Sequence, residues 1–263
     1  NITSQRCAVS CFSRMLFCRF RDIFDKFGPP MAPYRAAQFL KSRLAGRPRI
    51  SMAGSFTSAE TGVLNVMFVN RSSFKGRDAG SALRKPEMEN IFNLDQLLEG
   101  CSLSAHLRCI SFEFGRFGVA ADVRAMRHTH LLIGTHGSAL TNSLFMQIGS
   151  AMAEVRAYGF EGDWPDRYFL QLLSQEHAIH YWKVTTLDRL LMHPPPPATA
   201  TGWEARDNRR VELPPDAFCT LLRGVRSVNH SRDQYLARRD VGGNVITSNL
   251  SGGHRLLTPT QWG

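Results

Sequence analysis

With 263 residues, of which 43% are hydrophobic, the chain is long enough to bury the core of one large domain or two small ones. Its 32 lysine and arginine residues exceed its 22 acidic residues and give a formal net charge of +10. This charge is compatible with scattered surface arginines or with a positive cleft that attracts phosphate-bearing ligands. The basic residues form no long run and do not interleave with aromatic residues, so nucleic-acid binding is not favoured.

The N-terminal part of the chain is basic and partly helical in character. Residues 7–20 are interrupted by Arg14 and Arg19 and are too short to cross a bilayer. No signal segment with a charged start and an apolar centre opens the chain, so we expect a fragment or processed form that lacks its own N-terminus. After a break at residues 29–30, which are both proline, the spacing predicts an amphipathic helix over residues 34–44.

From residue 60 onward, apolar runs alternate with amphipathic segments. The runs predict buried strands at 63–69, 107–112, 131–133, 151–155 and 179–184. The intervening segments predict helices at 120–128, 139–146 and 166–175. Asn93 and Gln96 have the spacing of a capping box that begins a further helix, and Gly100 would end it. This alternation predicts an α/β protein with a doubly wound parallel sheet.

The C-terminal part of the sequence has a different character. Residues 194–197 are all proline and predict a stiff, extended spacer, and a short helix is expected over 217–223. Beyond about residue 226 the chain is rich in Arg, Asn, Ser and Gly, which predicts little order.

A tight loop flanked by glycines, residues 134–138, follows the predicted strand at 131–133. In open α/β sheets, ligands bind at the carboxyl ends of strands, where helix N-termini present unpaired N–H groups. His136 and the backbone amides of residues 137–139 would lie there, and a diphosphate is the anion that suits them best. Neither GxGxxG nor GxxxxGK[ST] occurs, which argues against a dinucleotide or P-loop site.

The cysteines and the glycosylation sequons bear on the compartment. The six cysteines contain no CxxC pair and no spacing typical of zinc. Asn-x-Ser/Thr sequons begin at Asn1, Asn70, Asn229 and Asn249. Both features suit the lumen of the secretory pathway, whereas buried thiols and unused sequons are the alternative.

Several segments of this sequence resemble glycosyltransferase family 61. Residues 136–142 read His-Gly-Ser-Ala-Leu-Thr-Asn and are followed by Leu-Phe, a glycine, and a strand that ends in Glu154. The family's run typically reads HGAGLTN, with the same elements after it. Residues 69–72, 91–97 and 177–182 are similar to three further family segments and occur in the family's order. The resemblance covers roughly residues 60–225.

The resemblance implies a GT-B fold, with two Rossmann-like halves and the donor held mainly by the C-terminal half. Residues 1–59 would then be a remnant of the N-terminal half and a linker, and residues 60–225 the Rossmann-like nucleotide-sugar-binding domain. Residues 226–263 would form a poorly ordered tail.

The resemblance also implies a chemistry and a location. Family members include protein O-linked N-acetylglucosaminyltransferases and plant xylosyltransferases. We therefore expect inverting transfer of N-acetylglucosamine or xylose from a UDP-sugar to a protein or glycan hydroxyl, in the lumen of the endoplasmic reticulum or Golgi. A membrane anchor is expected upstream of this chain. No metal or other cofactor is required where arginines can neutralise the diphosphate.

Seven residues are predicted to bind the donor: Arg71, His136, Gly137, Ser138, Thr141, Asn142 and Glu154. Arg71 leads this set because a guanidinium at a strand end fits phosphate oxygens, with a plain surface arginine as the alternative. Lys75 and Arg77 are secondary candidates. His136 could donate to a phosphate or to the sugar, or it could only brace the loop.

The remaining donor candidates also have structural alternatives. Thr141 and Asn142 either bond the nucleotide or cap the helix. Glu154 either accepts from the ribose hydroxyls or forms a salt bridge with Arg156. No general base is identifiable, although Asp163 and Asp166 lie in a loop that faces the expected cleft, where Asp166 could equally cap a helix.

Two positions depart from the family pattern. Ala139 replaces the second glycine of the loop, and its methyl group could narrow the approach of the backbone to phosphate. Asp122 replaces a glutamine, and a carboxylate near a diphosphate would need a partner such as Arg124 or Arg127. A catalytically degenerate nucleotide-binding or scaffold protein is therefore the alternative to an active transferase.

Overall fold

The computed structural model describes residues 32–44, 62–71, 90–160, 178–200 and 209–248, together with residues 169 and 204. The helix predicted at 166–175 lies outside the described residues, apart from residue 169. Four candidate residues also lie outside them: Lys75, Arg77, Asp163 and Asp166.

The central feature of the fold is a six-stranded sheet in which every neighbouring pair is parallel. Its strands are β1 Leu64–Val69, β2 Leu107–Phe112, β3 Leu131–Thr135, β4 Ala151–Arg156, β5 His180–Thr186 and β8 Val245–Ser248. Their spatial order is β2-β1-β3-β4-β5-β8. The prediction of an α/β protein with a parallel sheet is thus confirmed, and the arrangement is Rossmann-like.

The strand order contains a topological switch point between β1 and β3. The chain leaves β1 to form β2 on one side of it, and then returns to form β3 on the other side. Connections on the two sides of a switch point diverge, which opens a crevice at the carboxyl ends of the strands. This crevice is where the two loops that follow β1 and β3 meet.

Helices and a short hairpin complete the described structure. The α-helices are α1 Ala32–Leu44, α2 Leu94–Ser102, α3 Val119–Met126, α4 Pro215–Val228 and α5 Arg232–Asp240. Two segments are 3-10 helices, Ser138–Phe145 and Arg189–Leu191, and the hairpin joins β6 Met192–His193 to β7 Arg210–Val211. The helix predicted at 139–146 is therefore a 3-10 helix. None of the helices in these described segments is long and apolar enough to cross a membrane.

The sheet separates two apolar clusters. Val66 and Phe68 of β1 belong to a cluster with residues of α2 and α4, whereas Met67 and Val69 belong to a cluster with residues of α1 and α3. Successive residues of a strand point to opposite faces, so one strand supplies both layers. Coverage on both faces explains why all six residues of β1 and of β4 are buried.

The expectation of little order beyond residue 226 is wrong for residues 229–248. This segment forms α5 and β8, and β8 pairs with β5 along the register Lys183–Val245 to Thr186–Ser248. Tyr235 anchors it: the fully buried phenol donates to the Tyr181 carbonyl at 2.6 Å and accepts from the Tyr181 N–H at 3.0 Å. The buried Tyr235 and the pairing of β8 with β5 thus help to order a segment whose composition is largely polar.

The capping box predicted at Asn93 and Gln96 is only half right. Helix α2 does begin after Asn93, but the Asn93 side chain makes no capping hydrogen bond. Instead, its amide donates to the Leu213 carbonyl at 2.9 Å and accepts from the Leu213 N–H at 3.0 Å. Asn93 therefore ties the start of α2 to the segment that precedes α4.

A disulfide joins Cys101 at the end of α2 to Cys109 in β2, with their Cα atoms 5.9 Å apart. The strand β2 is at the edge of the sheet and is only partly buried, so this covalent link fixes it to the helix that covers it. The side chain of Cys219, in α4, is buried.

Gly224 in α4 packs directly under Trp182, and this contact yields a test of the fold. A Cβ atom at Gly224 would lie 2.7 Å from Trp182 Cζ3 and 2.9 Å from Cη2. We expect Gly224→Ala to lower the free energy of unfolding by about 1–3 kcal/mol, since overpacking outweighs the gain in helix propensity. Urea unfolding measures this, with exposed Arg223→Ala in the same helix as control. An unchanged or higher stability would contradict this packing.

His130, at the amino end of β3, makes stability depend on pH. Its Nδ1 accepts from the Asn65 N–H at 3.2 Å, and its ring lies 5.6 Å from that of His230. Burial and then the neighbouring His230 lower the pKa of His130 below its usual 6.5. The unfolded chain therefore binds the proton more readily than the folded chain. The contribution of neutral His130 to the free energy of unfolding is fully present above pH 6.5 and decreases as the pH falls below that value.

We expect the free energy of unfolding to be lower near pH 5.5 than near pH 7.5, and His130→Gln to reduce that difference, by urea unfolding at both values. The same substitution at His106, an exposed residue, is the control. A pH dependence that His130→Gln leaves unchanged would show that another group is responsible.

Candidate functional site

The switch-point crevice brings together the segments that follow β1 and β3. Arg71, just after β1, is held at its backbone by the side chain of Asn90. Its N–H donates to Asn90 Oδ1 at 2.7 Å, and Asn90 Nδ2 donates to its carbonyl at 2.7 Å. Two hydrogen bonds to one amide fix the path of the chain, so the Arg71 side chain leaves from a defined position.

The Arg71 guanidinium reaches the loop that follows β3. Its Nη2 donates to the His136 carbonyl at 3.1 Å. A Cβ atom at Gly137 would stand 1.7 Å from this Nη2, so only a glycine leaves room for the guanidinium where it is. The structure therefore brings the predicted residues Arg71, His136 and Gly137 into direct contact.

The N-terminus of the 3-10 helix Ser138–Phe145 lies at the same place. The backbone N–H groups of residues 137–139 are its first donors, and such groups have no acceptor within their own helix. With the Arg71 guanidinium beside Gly137, they form an array of donors suited to an anion. Ala139 is half-buried and packs against the apolar cluster below the loop, which gives its methyl group a place in the core.

A second glycine brings β1 and β3 close together just before the loop. A Cβ atom at Gly134 would lie 2.8 Å from both Cβ and Cγ2 of Val69, and 3.2 Å from Leu140 Cδ2. Any other residue would push the loop away from the end of β1. Gly134 thus sets the distance that the Arg71 side chain has to span.

Thr141 and Asn142 use their side-chain donors inside the loop. The Thr141 hydroxyl donates to the Ser138 carbonyl at 2.6 Å, and the Asn142 amide donates to the Ala139 carbonyl at 2.9 Å. These bonds correspond to the structural alternative in which the two residues stabilise the helix. A contact of either residue with a nucleotide stays a prediction.

Glu154 is fully buried and has hydrogen-bond partners at both oxygens. Its Oε1 pairs with His136 Nδ1 in a short contact. Its Oε2 accepts from the Tyr181 hydroxyl and from Arg156, whose Nε and Nη2 lie 3.2 and 3.1 Å away. The predicted alternative, a salt bridge with Arg156, is therefore present, and a contact of Glu154 with ribose would have to displace one of these bonds.

The pairing with Glu154 sets what His136 can do. The imidazole is buried and its Nδ1 pairs with Glu154, which fixes the orientation of the ring. The ring is packed between Phe160 and Phe169, with centroid distances of 5.1 and 5.7 Å. His136 is thus a rigid, oriented donor or acceptor at the base of the loop.

Two residues of this site were not predicted, Asn90 and Tyr181, whereas the pairing of Arg156 with Glu154 was predicted as the structural alternative. Asn90 lies before a helix and outside every segment that resembles the family, and Tyr181 lies near the start of β5, in the family-like segment 177–182, which assigned it no role. Only the register of β4 against β5 brings Tyr181 to Glu154.

A small pocket next to His136 is lined by Thr135, Val155, Ala157, Met192, Arg209 and Val211.

Asp122 does not have the partner that was predicted for it. Its carboxylate accepts from the Gly115 N–H, at 3.0 and 3.2 Å, and the expected pairing with Arg124 or Arg127 is wrong. Burial raises the pKa of Asp122, and the hydrogen bond from Gly115 opposes that shift. Asp122 thus braces the loop between β2 and α3.

In the described segments, no group of three or more His, Cys, Asp or Glu side chains could hold a metal ion. Among the residues that the structure describes, Arg71 and the backbone of residues 137–139 bring cationic and N–H donors to the crevice.

A comparison with models of protein families identifies a family for this chain. A family model described as Glycosyltransferase 61 matches residues 14–153, which is slightly more than half of the chain. The matched region contains β1, β3 and the loop between Thr135 and Phe145. No curated protein matches the chain.

Glu154 provides a test of the buried network. We expect Glu154→Ala to lower the free energy of unfolding by about 3–5 kcal/mol, because it leaves the buried Arg156 without its counter-charge. The control is Asp240→Ala, which removes an exposed carboxylate and its pair with Arg239 and should cost less than about 1 kcal/mol. Equal losses in urea unfolding would contradict the role assigned to Glu154.

Proposed function

The chain belongs to glycosyltransferase family 61 and is a glycosyltransferase, and we propose that its donor is a UDP-sugar bound in the switch-point crevice. We further propose that it transfers N-acetylglucosamine or xylose, with inversion, to a hydroxyl of a protein or glycan. The observation that carries the donor site is the contact of the Arg71 guanidinium with His136 and Gly137, beside the first N–H groups of a helix.

The proposed chemistry needs a group that stabilises the leaving diphosphate. The acceptor oxygen attacks the anomeric carbon from the face opposite UDP, and the bond to the diphosphate oxygen breaks with its electron pair. Negative charge therefore grows on the diphosphate in the transition state. Donors already fixed around that position stabilise it most. Arg71 and the N–H groups of residues 137–139 are such donors.

His136 is proposed as the second ligand of the donor. Because Glu154 occupies Nδ1, the Nε2 atom is the one that can bond a phosphate oxygen or a sugar hydroxyl. The buried Arg156 and Tyr181 hold Glu154 in turn, so the imidazole does not need to reorganise when the donor binds.

The Rossmann-like sheet described above is proposed as the donor-binding half of a GT-B enzyme. Helix α1 supports this arrangement as a connecting segment, since Gln38 donates to the Leu144 carbonyl at 2.9 Å and to the Met146 carbonyl at 3.2 Å. It therefore packs on the far end of the 3-10 helix whose N-terminus forms the site.

We place the protein in the lumen of the endoplasmic reticulum or Golgi, with a membrane anchor upstream of this chain. The disulfide between Cys101 and Cys109 supports an oxidising compartment, because such bonds are rare where thiols are kept reduced.

Binding of UDP tests the donor site. We expect saturable binding by calorimetry, and at least a tenfold loss of affinity, about 1.4 kcal/mol, in both Arg71→Ala and His136→Ala. Arg116→Ala, at an exposed arginine, is the control. A folded chain that does not bind UDP, or that binds it equally well in both variants, would contradict the assignment. UDP binding without transfer of any sugar would favour the degenerate alternative.

Gly137→Ala tests the contact of Arg71 with the loop. The new methyl group would displace the Arg71 guanidinium, and the backbone of Gly137, with φ +158°, is strained for any residue that has a side chain. We expect a loss of UDP affinity on the order of tenfold together with a lower melting temperature, so affinity is measured at a temperature at which the variant is folded. Ser138→Ala, which keeps its backbone N–H, is the control. Unchanged affinity in Gly137→Ala would contradict the role of Arg71.

A further inference from the structure

The turn between α4 and α5 contains one of the four sequons, Asn229-His230-Ser231. Asn229 ends α4 in a left-handed conformation, with φ 40° and ψ 51°, and His230 follows with φ 61°. Both residues are exposed. Two successive positive φ angles make a tight turn that presents the Asn229 side chain to solvent, away from both helices.

The Asn229 amide has no other task in the described structure. Its backbone N–H donates to the Arg226 carbonyl at 3.1 Å, whereas its side chain makes no hydrogen bond with any described residue. The Ser231 hydroxyl accepts from the Gln234 N–H at 3.3 Å and caps α5. A group attached to Asn229 Nδ2 would therefore break no hydrogen bond of the fold.

The turn lies at the edge of the sheet opposite to the donor site. His230 Nδ1 pairs with the Gly149 carbonyl at 3.0 Å, and its ring lies 5.6 Å from that of His130. His130 immediately precedes β3 and Gly149 lies two residues before β4, so they mark the amino ends of these strands. The donor site lies at the carboxyl end of β3. Because β3 has five residues and a strand rises about 3.3 Å per residue, the turn and the donor site are about 16 Å apart along this strand.

The sequon at Asn70, unlike that at Asn229, is partly buried and lies next to the donor site. Asn70 directly precedes Arg71, is only half-exposed, and its side-chain oxygen accepts from Asn90 Nδ2 at 3.3 Å. An oligosaccharide there would stand at the mouth of the crevice. The two described sequons therefore differ: one can carry a large group without cost to the fold or the site, and the other cannot.

We propose that Asn229 is an N-glycosylation site of this protein. The donor is a lipid-linked oligosaccharide diphosphate: a bond forms between Asn229 Nδ2 and the first sugar's anomeric carbon. That carbon's bond to the diphosphate breaks, the lipid diphosphate leaves with the electron pair, and Nδ2 loses one proton. The modification requires a luminal chain, as the Cys101–Cys109 disulfide indicates, and does not depend on which sugar the protein itself transfers.

The experiment is expression of the full chain behind a cleavable secretory leader in cultured eukaryotic cells. The secreted or luminal fraction is identified by oxidised Cys101 and Cys109, treated with peptide N-glycosidase, and mapped by mass spectrometry. We expect the peptide that contains Asn229 to carry a glycan in most molecules. Asn229→Gln should remove one enzyme-sensitive step in gel mobility.

Two variants at Ser231 separate the modification from folding. Ser231→Thr keeps both the sequon and a capping hydroxyl, so it should retain the glycan, whereas Ser231→Ala should lose it. Glycan occupancy is scored on every molecule that entered the lumen, whether or not the variant folds. An unmodified Asn229 peptide in luminal chains with the disulfide formed would overturn the proposal.

We expect Asn229→Gln to leave donor binding, the basis of the proposed function, unchanged. Because the turn lies at the opposite edge of the sheet, UDP affinity should match that of the parent within about twofold. A large loss of UDP affinity in this variant would show that the turn is coupled to the crevice and would overturn its placement as an independent surface.

Discussion

The carboxylate of Glu154 is buried in the middle of the parallel sheet, and the geometry of the crevice depends on how its charge is compensated. It has no contact with solvent, so it needs a counter-charge and hydrogen bonds at both oxygens. Arg156 provides the counter-charge from the same strand, Tyr181 comes from the neighbouring strand, and His136 comes from the loop. The cluster thereby connects β4, β5 and the loop after β3 in one rigid unit. Because the loop is already ordered, its N–H groups can bind a ligand without a further loss of conformational entropy.

Two glycines decide what lies in front of this unit. Gly134 lets β3 approach Val69 of β1, and Gly137 leaves space for the Arg71 guanidinium. Both positions are fixed by contact with a neighbouring side chain, so the missing side chain is the property that matters. The switch point in the strand order supplies the crevice, and these glycines bring a cation and a helix N-terminus together inside it. Such a combination is suited to a diphosphate, and it accounts for the donor site proposed for this glycosyltransferase.

The first five strands, β1 to β5, were predictable because helices cover the sheet on both faces. A strand in that position is a continuous apolar run, as in β1 and β3, and is visible without knowledge of its neighbours. The contact between Arg71 and the His136 loop could also be predicted from the sequence, since both follow strands whose carboxyl ends lie at the same edge of the sheet. The contact of Tyr181 with Glu154 could not be predicted in this way, because it depends on the register between two strands and on a long side chain. The order of residues 229–248 was missed because composition does not reveal that Tyr235 is a buried anchor.

A crystal structure of the chain with UDP bound is the most direct test of the central claim. We expect the diphosphate to lie within hydrogen-bond distance of the Arg71 guanidinium and of the N–H groups of residues 137–139. His136 Nε2 should face the ligand while Nδ1 stays paired with Glu154. A diphosphate bound elsewhere on the sheet, or a nucleotide that leaves Arg71 without a contact, would contradict the account.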